Sequence, residues 1–161
     1  MAALSMRSEI ESNGSAAVLS FPRCPTAERI AASRDLSPAQ RLDLERLRWL
    51  ALRSQLAPKP DLERACFVLA GEPAVSLERY ATAFFRGLCD NASGEMTIYR
   101  PGARCVSDDE LWMTRMVDAW RGGETKLASA LIGWRVRRPA QRWMRFLSSH
   151  MVEALDAAAP V

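Results

Sequence analysis

The chain has 161 residues, 48% of them hydrophobic and 25% charged, with a formal net charge of +3. That length lets one globular domain bury roughly two-thirds of its unfolded surface without a metal or disulfide to hold it. So small a net charge excludes a densely basic nucleic-acid coat protein.

Residues 1–22 are rich in Ser, Ala, Gly and Asn without sustained periodicity and are expected to form a flexible lead, followed by a single helical domain over 23–161. The lead carries Arg7, Glu9 and Glu11 where a secretory apolar core would lie. A short helix is expected after Thr26. The next is better specified, with Ser37 as N-cap, Pro38 at the first helical position and Gln40 completing a capping box, and it ends before Pro58 and Pro60. "DLERACFVLAG" predicts a short helix closed by Gly71. In "SLERYATAFFRGLCDN", Leu77, Tyr80, Ala81, Phe84, Phe85 and Leu88 recur at the spacing of one buried helical stripe.

"MTIYR", Met96 to Arg100, is the only strand candidate, and Pro101-Gly102 suits a type II turn after it. A second capping box, Ser107 with Glu110, opens a helix that stops at Gly122-Gly123. "ETKLASALIGWRVR" is expected to run until Pro139 halts it, and "AQRWMRFLSSHMVEALDAAA" is the last helix. The fold expected is all-α: a compact bundle of six or seven helices, with at most one short β-hairpin near residues 96–106.

Four cysteines at 24, 66, 89 and 105 show no Cys-x-x-Cys spacing, and Cys66 and Cys89 sit in apolar stretches where a thiol behaves as a small hydrophobe. A reduced cytoplasmic setting is expected. No run approaches the roughly 18 apolar residues that suggest a membrane span. Cys24-Pro25 resembles the dipeptide of haem-regulatory motifs, but chance occurrence and a proline opening the first helix account for it better. With one histidine, His150, and dispersed cysteines, neither a zinc site nor a Ser-His or Cys-His nucleophile is specified. His150 falls beside Trp143 and Ala154, where it should be partly buried with one hydrogen-bond partner. Asp108, Asp109 and Glu110 occupy the first turn of a capped helix, where negative charge complements the exposed N–H groups. No phosphate-binding glycine motif is present, and no cofactor is implied.

Charge pairing singles out one region. Glu45 has Arg41 and Arg48 at helical spacing, Asp43 has Arg46, and Asp118 has Arg115 and Arg121, all reading as matched, solvated faces. "GWRVRRPAQRWMRFLSSHM", Gly133 to Met151, carries Arg135, Arg137, Arg138, Arg142 and Arg145. Of these, Arg137, Arg142 and Arg145 have no acid one helical turn away, Arg138 is pushed out of helical geometry by Pro139, and Arg135 falls at the edge of its helix's apolar stripe. Trp134 aligns with Leu127, Ala130 and Leu131, and Trp143 with Leu147 and Met151, so both tryptophans are expected in or near the core.

Lysine is rare, at positions 59 and 126 alone, a bias expected of GC-rich bacterial coding and no evidence for phosphate binding. A helix-turn-helix fits poorly, because Glu124 follows the Gly-Gly turn and the next helix offers only Thr125, Lys126 and Ser129 as polar readers. A membrane surface fits less well still, with Glu153 and Asp156 on the last helix's polar face. The expected function is a non-catalytic adaptor or regulatory protein that binds another protein, or a second copy of itself, through these arginines. A nucleic-acid-associated regulator is the alternative, and an enzyme of unknown class the third.

Overall fold

The computed structural model describes residues 36–56 and 73–158. Five α-helices appear there: α1 (Pro38–Leu56), α2 (Pro73–Asn91), α3 (Asp108–Arg121), α4 (Thr125–Arg135) and α5 (Gln141–Ala157), with a 3-10 turn at Arg138–Ala140. The all-α class holds. Among the described residues there are five helices and no strand, so neither a count of six or seven nor a hairpin is shown there. The helices expected after Thr26 and over "DLERACFVLAG", together with Cys24 and Cys66, lie outside the described residues.

Capping is where local sequence rules act most directly. Ser37 N–H donates to Gln40 Oε1 at 2.8 Å and Gln40 N–H to Ser37 Oγ at 3.2 Å, closing the first box. The second is equally complete, with Ser107 and Glu110 exchanging bonds at the start of α3. α3 ends at Gly122-Gly123, and Gly123 takes φ of +70°, a backbone region that a side chain disfavours.

α2 sits at the centre, packed most extensively on α5 and then on α1, while α3 bridges α1, α4 and α5. Its predicted stripe is the buried one: Ala81, Phe84, Phe85 and Leu88 are inaccessible, and Leu77 and Tyr80 pack at the margin. α5 answers with Met144, Leu147, Met151, Val152 and Leu155. Gly87 lets the two axes approach closely, because a Cβ there would stand 2.8 Å from Met144 Sδ.

The predicted strand is instead a segment without regular secondary structure, two of whose N–H groups are taken by carboxylates. Thr97 N–H donates to Asp109 Oδ2 at 2.7 Å and Tyr99 N–H to Glu110 Oε1 at 2.8 Å. The acids of α3's first turn therefore do the work of a partner strand. The turn after it forms as expected, with Ala103 N–H donating to Arg100 C=O at 3.1 Å and Gly102 at φ +79°.

Arg48 corrects the expected pairing on α1. It is 2% exposed, not on a solvated face, and its guanidinium uses all five N–H groups. Two go to Glu110, one to Glu45, and one each to the carbonyls of Ala103 and Cys105. Glu110, wholly inaccessible, accepts twice from Arg48 and once each from Tyr99 N–H and Ser107 N–H. Burial opposes the Arg48 charge, yet its bonds to Glu110 and Glu45 outweigh that and hold its pKa above the ordinary arginine value. The pair nails residues 97–107 to α1 and α3.

The other expected pairs are also redistributed by tertiary contacts. Arg121 bridges Asp43 of α1 and Asp156 of α5, and those bonds, Asp43 first, raise its pKa despite partial burial. Asp118 accepts from Gln40 Nε2 at 2.8 Å. Arg53 and Glu78 form an exposed pair between α1 and α2, of a kind that contributes little.

Cys105 is fully buried and disulfide-bonded, so the reduced state expected of the cysteines does not describe it. The Cys89 thiol is pushed up to about 11 by burial and by the Asp90 charge. At pH 8 about one Cys89 in a thousand is then thiolate. Iodoacetamide should leave it largely unmodified in the native protein and label it promptly in denaturant, as intact mass would read. Equal rates would show the thiol to be accessible and unperturbed.

Candidate functional site: the corner between α4 and α5

The corner is built by backbone clamps. Ser93 N–H donates to Arg135 C=O at 2.8 Å and Arg137 N–H to Asn91 C=O at 2.9 Å, which brackets an isolated antiparallel bridge between Ala92 and Val136. These bonds join the carboxyl ends of α2 and α4 and use groups that a helix terminus leaves unpaired. Gln141 Nε2 adds bonds to Gly133 C=O and Val136 C=O, at 3.2 and 2.9 Å. α4 accordingly ends at Arg135, ahead of the predicted stop at Pro139. Val136 and Arg137 are the extended residues, while Arg138 lies in the 3-10 turn, contrary to the expectation from the proline rule.

The five arginines divide. Arg135 is committed within the fold: its guanidinium pairs with Asp109 and reaches Glu95 C=O and Met96 Sδ, leaving the side chain 21% exposed. No local signal links Arg135 to an acid 26 residues away. Arg145 is half-buried, with one long bond of 3.5 Å to Gln141 Oε1 and a buried Nε that has no partner among the described residues. Arg137, Arg138 and Arg142 are exposed, and none has an acidic partner among the described residues.

Pro139, Arg142, Trp143 and Phe146 line an open groove of about 410 Å³ beside these cations. Trp143 packs against the core at its margin, and its ring lies against Phe146 at 5.9 Å between centroids and 20° between planes. Phe146 meets His150 edge-on at 4.4 Å and Tyr80 at 6.4 Å. His150 Nδ1 is 2.9 Å from Glu153 Oε2, the single partner expected of a partly buried histidine.

Trp134 contradicts its expected place in the core. It is 69% exposed, with Leu127 also exposed, and Arg135 Cζ lies 5.8 Å from its ring centroid. α4 carries apolar side chains on more than one face, so its periodicity does not choose which of them is buried. Contacts bury Ala128, Ile132 and Val136 instead.

Asp109 and Glu110, the acids nearest a catalytic pattern, are held by Arg135, Arg48 and backbone N–H groups. Among the described residues no three His, Cys, Asp or Glu side chains are grouped to hold a metal ion, and no helix is long and apolar enough to cross a membrane. No protein-family model, curated protein or solved structure matches the chain.

Proposed function

We propose that this chain is a binding protein, adaptor or regulatory in role, that contacts another protein through the α4–α5 corner. The observation that supports this is the trio Arg137, Arg138 and Arg142, exposed without acidic partners among the described residues and set beside an apolar groove. Arginine and aromatic side chains are the residues most enriched at interface hot spots, and desolvated cations there require a partner's negative charge. Arg135 is dropped from the contact surface because Asp109 already holds it. Arg145 is left aside because it is half-buried.

The reading predicts that Arg138→Glu/Arg142→Glu folds as the wild type does, since both side chains are exposed, while losing its companion. Native mass spectrometry of chain purified from its own host should show one stoichiometric companion, reduced at least tenfold for the variant. A companion retained in full, or none in either sample, would remove this surface from consideration.

A further inference from the structure

We propose that the occupant of the groove is an acidic peptide segment of the partner, with apolar anchor side chains seated against Pro139, Trp143 and Phe146 and carboxylates facing Arg138 and Arg142. This rests on the reading of the corner as a protein-contact surface and names the chemistry of its ligand.

Charge complementarity carries the argument first. Arg142 forms part of the groove wall, and Arg138 immediately precedes Pro139 in the same wall. One guanidinium in this corner, that of Arg135, already uses a carboxylate, Asp109. A neutral or basic occupant would leave the exposed cations desolvated and unpaired, whereas carboxylates can meet each planar fork with two parallel bonds.

The aromatic geometry then selects among anionic partners. Nucleic acid without sequence readout binds by stacking bases on free aromatic faces. Trp143 and Phe146 are instead stacked on each other, and Phe146 is further engaged by His150 and Tyr80. The groove offers an apolar wall, and its volume of about 410 Å³ has room for a few aliphatic side chains. A second copy of this chain is disfavoured by symmetry, because a two-fold contact centred on this patch sets its arginines against their own equivalents.

The test is an unbiased selection. Random displayed peptides of about 16 residues, long enough for two turns of anchors, are selected on the immobilised full chain and counter-selected on Arg138→Glu/Arg142→Glu. Enriched sequences should carry an excess of Asp and Glu around Leu, Ile or Phe anchors. A labelled peptide from that set should bind at least tenfold more weakly to Arg142→Gln, to Phe146→Ser, and when its own acids are changed to amides. An oligothymidylate of equal charge should not displace it.

Enrichment without acidic excess, no enrichment at all, or binding indifferent to Arg142→Gln overturns the proposal. Displacement by the oligonucleotide would assign the patch to nucleic acid instead. Sedimentation showing that Phe146→Ser dissolves a homodimer would assign it to self-association. If an arginine-dependent companion is found by mass spectrometry but selected peptides are not acidic, the peptide chemistry fails while the protein-contact reading stands.

Discussion

Replacing Arg48 by alanine should destabilise the fold by about 3–5 kcal/mol, because it leaves the Glu110 carboxylate buried with no cation. For a domain of this size that lowers the thermal midpoint by roughly 6–20 °C. Glu110→Gln keeps the shape but removes the charge that faces Arg48, and should lie in the same direction with a smaller loss. A buried pair exchanged for apolar residues of similar volume is often neutral or stabilising. The double variant Arg48→Met/Glu110→Leu should not recover here. Tyr99 N–H, Ser107 N–H, Ala103 C=O and Cys105 C=O all bond to this pair, so removing both partners strands four backbone groups. Urea denaturation of the two singles and the double would measure it, and a double variant as stable as the wild type would show the pair to be dispensable.

The tryptophans provide the second large effect. Trp112 is 2% exposed and donates its indole N–H to Leu131 C=O at 2.9 Å, joining α3 to α4. Trp112→Ala should cost about 3–5 kcal/mol through lost burial and the cavity left behind. Trp134→Ala should fall within about 0.5 kcal/mol, as substitutions on an exposed surface usually do. The same melts that test Arg48 separate the two, and a large loss at Trp134 would mean that its ring is covered in solution.

These two residues also mark how far sequence reasoning reaches. Elements specified by their own residues were legible: Ser37 and Ser107 as caps, Gly123 as a stop, and the stripes of α2 and α5, where polar residues on the opposite face leave one solution. Trp134 was misplaced because α4 has apolar residues on both faces, so burial depends on which neighbour arrives. Arg48 was misread because its spacing from Glu45 does form an ion pair, at 2.6 Å, yet that says nothing of Glu110, 62 residues further on.

The candidate site divides along the same line. Absence of an acid at helical spacing was visible for Arg137, Arg142 and Arg145, and Arg137 and Arg142 have no acidic partner among the described residues. The partner of Arg135 was not visible, because Asp109 reaches it only after α3 and α4 pack together. The apolar groove beside Arg142 was not legible at all, since Pro139, Trp143 and Phe146 form a surface only through the 3-10 turn and the start of α5.

By itself, then, the sequence determined where helices begin and end and which of them are amphipathic, because capping and periodicity act within about four residues. Only the tertiary structure decided which charges are spent internally and which face outward. Ion pairing and burial depend on distance in space, and the pairs that matter here, Arg48 with Glu110, Arg135 with Asp109 and Arg121 with Asp43, each join different helices.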